Sequence, residues 1–342
     1  MPAARPTLDT VAAAAGVSRM TVSNAYNRPG QVSPATRERV LEAARRLGYA
    51  GPDPTAASLR LRRSGTVGVV LTERLPYAFA DPGLVTILHG IATELSAAGN
   101  ALLLVPSVGA DGGSLVRHAI VDALILCSLD ADDPAVAAAR ERKVPVVTVG
   151  NPRLPRVPRI GPDNERASGD VARHLLALGH RRLAVITTQI GAEPAPARPI
   201  FAERVTGFAD AVAATSGAEV TVVRAPDNDF ESGHATALEL LSGPRRERPT
   251  AVFAVTDILA LGVLDAAAEV GIAVPEQLSV AGFDDIAAAT PAGLTTIAHD
   301  LFGQGRAAAR IALRRAGGQS ARPPRIETEL MVRRSTGRAP RR

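Results

Sequence analysis

The 342-residue chain has one cysteine, no tryptophan and only 3% aromatic residues. Cys127 cannot form a disulfide within the chain, and its place in an apolar run predicts a buried core thiol rather than a reactive one. The scarcity of aromatic residues argues against a ligand site built on stacked rings. The sequence has no run of 18 uncharged apolar residues, so we expect no membrane-spanning helix.

Several catalytic and metal-binding motifs are absent as well. The sequence has no phosphate-binding loop, no His-Glu-x-x-His motif, no Gly-x-Ser-x-Gly elbow and no paired cysteines. We interpret the carboxylates of residues 130–133 as a loop and a helix cap. No catalytic residue, cofactor or metal is therefore predicted, and an enzyme is not expected. The N-terminus lacks the apolar region of a secretory signal, which favours a cytoplasmic protein.

Positive charge is concentrated at the start of the chain. Residues 1–66 contain ten arginines and four acidic residues, whereas the formal net charge of the whole chain is only +5. A basic head on a mildly acidic body indicates a polyanionic partner for the head, although a solvated basic surface is the alternative.

The first 50 residues have the pattern of three short helices. Thr7 is a suitable N-cap, apolar residues follow at helical spacing, and Gly16 can end the first helix. Ser18 is placed to cap a second helix. Ser33 is placed to cap a third, which ends at Gly48. Two short helices joined by a glycine-containing turn predict a helix-turn-helix, whose second helix enters the DNA major groove.

This segment closely resembles the headpiece of the lactose/galactose-repressor (LacI/GalR) family. The matching residues are Thr7-Leu-Asp-Thr-Val-Ala, Ala15-Gly-Val-Ser18, Thr21-Val-Ser23, Asn27, Val32-Ser33, Thr36-Arg37 and Leu47-Gly-Tyr49. The resemblance implies a sequence-specific transcriptional regulator, of the repressor type, that binds double-stranded operator DNA.

The resemblance also implies roles for individual residues of the second helix. Three side chains face base edges: Arg19, Met20 and Asn24. Three others hold phosphates: Thr21, Ser23 and Asn27. Asparagine can pair with adenine and arginine with guanine, whereas methionine offers only an apolar contact, for instance to a thymine methyl. Phosphate contacts set the register without reading the sequence.

Residues 51–64 are interpreted as a hinge between the headpiece (1–50) and a second domain. The segment is proline-rich and then compatible with a helix. It resembles the hinge helix of the family, in which Leu59 would enter the minor groove and kink the duplex. A plain flexible linker is the alternative.

From Gly65 onwards, apolar strand-like runs alternate with helical stretches. Such alternation predicts parallel sheets covered on both faces, and two sets in series predict two doubly wound α/β lobes. Ligands of this fold class bind at the carboxyl ends of the strands.

The body resembles the periplasmic-binding-protein-like effector domain of the same family. The matches include Gly161-Pro-Asp-Asn164, Arg204-Val-Thr-Gly-Phe208, Asp257-Ile-Leu-Ala-Leu-Gly262 and Val280-Ala-Gly-Phe-Asp-Asp285. By this analogy the effector-binding domain is 65–342. The first lobe holds about 66–161 and 293–325, and the second holds about 162–292 and 326–337.

The resemblance implies a small-molecule effector, of a sugar-like kind, in the cleft between the lobes. Arg204 matches the family's effector-binding arginine, and Asp284 matches the facing carboxylate. Four further residues are candidates for the cleft: Asp163, Asn228, Thr256 and Phe79. A salt bridge or a helix cap is the alternative role for Arg204, Asp284 and Asp163.

The resulting hypothesis is a homodimer on a pseudo-palindromic operator, controlled by effector binding. The ligand either releases DNA or strengthens its binding, and the sequence leaves both directions open. Two other readings stay open: a solute-binding protein or sugar enzyme on the same fold, and a DNA-binding protein with a vestigial cleft.

Overall fold

The structure, a computed structural model, describes residues 6–51, 63–71, 75–107, 112–188 and 199–340. The chain divides into two compact units, Met1–Ser64 and Gly65–Arg342. Within the described residues, no helix combines the length and apolar character that a bilayer crossing needs.

The described residues of the first unit form three α-helices. They are α1 (Leu8–Ala15), α2 (Arg19–Asn27) and α3 (Pro34–Leu47), with a 3-10 turn at Pro29–Gln31. Thr7 and Thr10 form a reciprocal capping box, and Ser18 accepts from the Thr21 amide at the start of α2. Gly16 and Gly48 end α1 and α3 in the left-handed conformation. The predicted caps and stops of these helices are confirmed.

Small apolar side chains close the core of this unit. Val11, Val22 and Val40 come from the three helices in turn, and all are fully buried. Tyr26 meets Tyr49 edge-on with ring centroids 6.0 Å apart. Because this core is small, the capping hydrogen bonds contribute a large share of the stability of the helix ends.

The second unit begins with a parallel five-stranded sheet, which defines the first lobe. The strands are β1 (Thr66–Leu71), β2 (Ala101–Pro106), β3 (Ala123–Cys127), β4 (Val146–Val149) and β5 (Arg159–Ile160). Their spatial order is β2-β1-β3-β4-β5. The helices of this region are α4 (Leu75–Ala78), α5 (Pro82–Ala97), α6 (Gly112–His118) and α7 (Pro134–Glu141).

Alternate residues of β1 face opposite sides of the first-lobe sheet. Val67 and Val69 pack with α5 and with α13 (Leu301–Ala316) from later in the chain. Val70 packs on the other side with α6 and α7. Burial on both faces explains why the strand reads as a continuous apolar run.

Helices α5 and α13 cross at two glycines. A Cβ on Gly90 would lie 2.1 Å from the carbonyl oxygen of Phe302, and one on Gly305 would lie 2.1 Å from that of Ile87. The backbones therefore touch directly, which joins the late helix α13 to the first lobe.

The second lobe is built on a parallel four-stranded sheet of order β7-β6-β8-β9. The strands are β6 (Arg182–Thr188), β7 (Glu219–Ala225), β8 (Ala251–Ala254) and β9 (Ser279–Ala281). The helices are α8 (Asn164–Ala177), α9 (Pro199–Ala213), α10 (Phe230–Leu241), α11 (Asp257–Glu269) and α12 (Ala289–Ala292). The rings of Phe208 and Phe253 stack in the core of the second lobe, with their centroids 4.9 Å apart.

The chain then returns through a two-stranded antiparallel pair, β10 (Thr296–Ala298) and β11 (Glu329–Met331). Three residues of β11 pair with β10. Beyond it the tail contacts the second lobe, where the Ser335 carbonyl accepts from Val280. The predicted class, a helix-turn-helix headpiece followed by two doubly wound α/β lobes, is confirmed.

Candidate functional site

Helix α2 presents most of the predicted DNA-reading residues on its surface. Arg19 and Asn27 are exposed, Met20 is 67% exposed, and Thr21 and Asn24 are partly exposed. Arg19 Nη1 lies 3.6 Å from Asp9 Oδ2, and this exposed ion pair contributes little stability. The face therefore has side chains available to base edges and phosphates.

Ser23 does not belong to that exposed face. Its side chain is only 6% exposed, and its hydroxyl accepts a 3.3 Å hydrogen bond from Asn27. Helix α2 packs against both α1 and α3, so its buried arc extends from Val22 across Ser23 to Ala25. Ser23 is therefore buried, unlike Thr21 and Asn27, to which the resemblance assigns the same role. Leu59 and most of the hinge lie outside the described residues.

A pocket lies between the two lobes at the carboxyl ends of four parallel strands. It holds about 710 Å³ of space outside protein atoms, including the part open to solvent. Ser128 and Gly150 follow β3 and β4 of the first lobe, and Thr256 and Asp284 follow β8 and β9 of the second. Its position agrees with the general rule for ligand sites in open α/β sheets.

Arg204, on α9, is 3% exposed and is fully engaged by the protein. Its Nη2 donates to Asp284 Oδ1 over 2.9 Å, and its Nη1 donates to the Val255 carbonyl over 2.6 Å. Its Nε donates to Asn164 Oδ1 over 3.2 Å. The guanidinium carbon also lies 3.7 Å from the Phe283 ring centroid. The positive charge is thus neutralised before any ligand arrives.

Asp284 is held from a second side by His299. Gln304 Nε2 donates to His299 Nδ1 over 2.7 Å, which directs the ring's Nε2–H at Asp284 Oδ1, 3.1 Å away. Burial acts to raise the pKa of Asp284, but the Arg204 charge and the His299 hydrogen bond outweigh it and keep the pKa below its usual value. Asp284 is therefore an ionised acceptor, and it occupies a left-handed backbone position with φ 112°.

Asp81 places a second carboxylate in the pocket, from the first lobe. Its Oδ1 accepts from the Gly83 and Leu84 amides at the start of α5. Its Oδ2 accepts from Asn228 of the second lobe over 3.4 Å. Burial raises the pKa of Asp81, and the nearby Asp284 charge adds to this effect. The bond to Asn228 is a direct polar link between the two lobes.

Asn228 and Thr256 form a pair behind this link. The Thr256 hydroxyl donates to Asn228 Oδ1 over 2.6 Å, and both side chains are buried. Thr256 lines the pocket directly. Asn228 reaches the first lobe through Asp81, so it lies at the lobe junction.

Asp257 supports the loop that carries Asp284. Its carboxylate is fully buried and accepts from the Ile286 amide over 2.9 Å and from the Thr296 hydroxyl over 2.5 Å. Burial, with the Asp284 charge adding to it, raises the pKa of Asp257 to about 7. A Cβ at Gly282 would lie 2.2 Å from Asp257 Oδ1, so a glycine is required beside it.

The structure separates the six residues predicted for effector binding. Arg204, Asp284 and Thr256 line one pocket, and Asn228 lies directly behind Thr256. Asp163 is exposed and caps α8 by accepting from the Arg166 amide, so its side chain lies outside the pocket. Phe79 is 66% exposed and does not line the pocket. The placement of these last two in the cleft is wrong.

Sequence reasoning missed several residues that line the pocket. They are Asp81, Ser128, His299 and Gln304. Asp81 had a local signal, since an aspartate before Pro82 is a common start of a helix. His299 and Gln304 are near Asp284 only because the chain returns to the first lobe after β10.

Comparison with known proteins agrees with both units. Residues 7–51 match the family of bacterial regulatory proteins called lacI family, and residues 172–336 match a periplasmic binding protein-like domain. An HTH-type transcriptional regulator of Mycobacterium tuberculosis is 38% identical over 365 residues, with 98% of each chain covered. The chain belongs to the LacI family of bacterial regulatory proteins.

Two solved structures of this family resemble the whole regulator. The complex of the transcriptional regulator CelR with cellobiose has a TM-score of 0.69 at 34% identity, covering 97% of this chain and all of CelR. The lac repressor dimer bound to operator and the anti-inducer ONPF has a TM-score of 0.78 at 25% identity, covering 98% and 100%. This LacI-family regulator is thus a DNA-binding transcription factor with an effector domain.

Proposed function

We propose that this regulator binds a pseudo-palindromic operator as a homodimer and that an uncharged, polyhydroxylated metabolite controls its operator affinity. The observation that carries the ligand class is the buried pair of Arg204 and Asp284, 2.9 Å apart, with Asp81 nearby. Like other members of its family, it would act as a repressor in the cytoplasm, bound to the nucleoid.

On the DNA side, we assign base contacts to Arg19, Met20 and Asn24 and phosphate contacts to Thr21 and Asn27. Their partial or full exposure on one helix supports this assignment. Ser23 would act through Asn27, whose side chain it holds by a hydrogen bond. We keep Leu59 as the proposed minor-groove wedge of the hinge.

The pocket's charge balance favours a neutral ligand. Among the described residues that line it, Arg204 is the one permanent cation, and its charge is already matched by Asp284. Asp81 adds a second acidic side chain, so no cation among these residues is left unpaired for an anion. A phosphorylated or carboxylated ligand would therefore enter a low-dielectric site without a counter-charge, whereas hydroxyl groups can donate to the Asp284 carboxylate.

The apolar part of the pocket suits a sugar face. Leu84, Ile87 and Ile200 supply aliphatic surface beside the polar residues, and Phe201 is the aromatic residue among them. CelR and the lac repressor, both similar to this chain, were solved with cellobiose and with ONPF. We therefore infer a neutral sugar or cyclic polyol rather than a nucleotide.

Coupling to DNA would come from the position of the lobes. Asp81 and Asn228 belong to different lobes and both contact the ligand site or its lining. A ligand that binds the closed arrangement more tightly than the open one shifts the population toward closure. In the homodimer, that shift would change the spacing of the two hinges.

A thermal-shift screen of the full-length protein tests the ligand class. The panel contains neutral sugars and cyclic polyols, and each is paired with its phosphorylated counterpart. We expect at least one neutral compound to raise Tm, because a ligand at 100 times its Kd stabilises by about 2.7 kcal/mol, and its phosphorylated partner to have no effect. Stabilisation by phosphorylated compounds alone contradicts the charge argument, and no stabilisation anywhere favours a vestigial cleft.

A further inference from the structure

The second lobe has a groove at the end opposite the effector pocket. The sheet strands are parallel, so β6, β8 and β9 all begin at this end. The groove is lined by Arg182 at the start of β6, by Thr250 just before β8 and by Leu278 just before β9. It holds about 1600 Å³ of space outside protein atoms, including the part open to solvent.

One wall of the groove is basic. Four arginines line it: Arg182, Arg245, Arg246 and Arg248. None of the described residues that line it is acidic. Arg246 has only an exposed pair with the adjacent Glu247, and such pairs contribute little. Arg245 makes no hydrogen bond or ion pair within the described part of the chain. Within the described part of the chain, Arg245 therefore has no acidic partner, and Arg246 is paired only with exposed Glu247.

The loop that carries Arg245, Arg246 and Arg248 is held in place by hydrogen bonds. Arg248 Nε donates to the Gly243 carbonyl over 2.6 Å, and Arg182 Nε donates to the Arg248 carbonyl over 3.2 Å. The Glu247 amide donates to the Pro244 carbonyl. Only the Nε atoms of Arg182 and Arg248 are used in these bonds. Their terminal nitrogens form no hydrogen bond with described residues and stay available to an anion.

The floor of the groove is apolar. Leu241 and Leu278 are buried, Ile272 is half-buried, and Val270 is 44% exposed at the end of α11. Pro249, Gly271 and Pro340 also line the groove, and Gln277 adds a polar side chain. A ligand that satisfied only the arginines would leave this surface in contact with water. The site therefore favours a partner with both carboxylates and apolar side chains.

We propose that this groove binds an acidic peptide segment of a partner protein, with an apolar side chain seated between Val270 and Ile272. Arginine forks match carboxylates in bidentate geometry, and a buried apolar anchor with arginine neighbours is typical of protein interfaces. Single-stranded nucleic acid is held by aromatic stacking, and no aromatic residue lines the described groove. Duplex DNA would leave the apolar floor without a partner.

Fluorescence anisotropy with a labelled EDLEDLED peptide and the full-length protein tests this proposal. We expect saturable binding that weakens at least about tenfold with Arg245→Glu/Arg246→Glu. The peptide EDSEDSED, which lacks the apolar anchor, is expected to bind at least about fivefold more weakly than EDLEDLED, and Val270→Asp is expected to have a similar effect. The matched control is Arg314→Glu/Arg315→Glu, an adjacent pair at the end of α13 in the first lobe with the same charge change. It should bind like the wild type.

Several results would overturn the proposal. They are no binding at 1 mM peptide, equal losses in both double variants, and equal affinity for the two acidic peptides. Tighter binding of a single-stranded oligonucleotide, lost in the same variant, would assign the groove to nucleic acid. Self-association that Arg245→Glu/Arg246→Glu abolishes, measured by light scattering, would assign it to a second copy of the chain. Matching melting temperatures of the variants confirm that each one folds.

Discussion

Arg204 Nη2 and Asp284 Oδ1 lie 2.9 Å apart inside the interlobe pocket, where both side chains are largely buried. The pair has two consequences. It cancels the one permanent positive charge among the described residues that line the pocket, and it fixes Asp284 as an ionised acceptor that faces the ligand space. Ligand class and local stability therefore depend on the same contact.

The first prediction concerns the stability of this pair. Arg204→Ala and Asp284→Ala should each lower the free energy of unfolding by about 3–5 kcal/mol, because each leaves a buried charge without its partner. The double variant should lower the free energy of unfolding by clearly less than the sum of the two single-variant losses. Chemical denaturation of the three variants measures this coupling. Strictly additive losses would show that the two residues do not stabilise each other.

The second prediction concerns ligand charge. Asp81→Asn keeps the Oδ1 acceptor that caps α5 but removes the negative charge that Asp81 carries above its raised pKa, so the titration is run at alkaline pH. Affinity for an anionic analogue should therefore rise about tenfold or more relative to the neutral effector, since like charges about 4 Å apart repel by roughly 4 kcal/mol near a protein surface. Calorimetric titration of both ligands measures the ratio.

Asp133→Asn is the matched control for this experiment. Asp133 caps α7 in the same way, by accepting from the Ala135 amide, but it does not line the pocket. It should leave the ratio of the two affinities unchanged. If Asp133→Asn shifts the ratio as much as Asp81→Asn does, the effect comes from net charge rather than from the pocket.

The third prediction concerns pH and Asp257. Burial raises the pKa of Asp257 from its ordinary value of 3.8 to about 7. The folded state therefore retains a proton that the unfolded state has lost, so this carboxyl contributes its stability at low pH and loses it as pH rises through 7. The wild type should lose Tm relative to Asp257→Asn between pH 5 and pH 8. Parallel curves for the two proteins would disprove the assignment.

The fourth prediction compares two asparagines on α2. Asn24→Ala should cost about 1–3 kcal/mol of specific binding and relax the preference at one base position, because Asn24 is assigned to a base edge. Asn27→Ala should weaken binding by about the same factor for every duplex sequence, because a phosphate contact carries no sequence information. Selection from a randomised duplex pool with each variant measures both effects. If Asn24→Ala kept the base preference of the wild type, Asn24 would not be a residue that contacts a base edge.

Local signals in the sequence predicted the headpiece well. Thr7, Ser18 and Ser33 cap their helices as expected, since capping involves residues only two or three positions apart. Ser23 shows the limit of such reasoning. Periodicity assigns one apolar face to a helix, but α2 is packed by neighbours on two sides, which widened the buried arc.

The pocket was only partly predictable, because most of its contacts join distant parts of the chain. Arg204 and Asp284 were found through resemblance to a family, not through spacing. Asp81 meets Asn228 across 147 positions, and no local pattern encodes that pairing. For Asp163 the deciding contact is local. Its carboxylate accepts from the Arg166 amide three residues later, which turns the side chain toward the start of α8 and away from the pocket.

The most direct test of the account begins with genome-wide mapping of the duplexes that the purified full-length protein binds. Anisotropy then measures affinity for a mapped operator and for random duplex, with and without the ligand found by thermal shift. We expect a preference for the operator of roughly a thousandfold or more, and a change in operator affinity of about 5–150-fold on adding ligand. Equal affinity for operator and random duplex, whether or not ligand is present, would contradict the account.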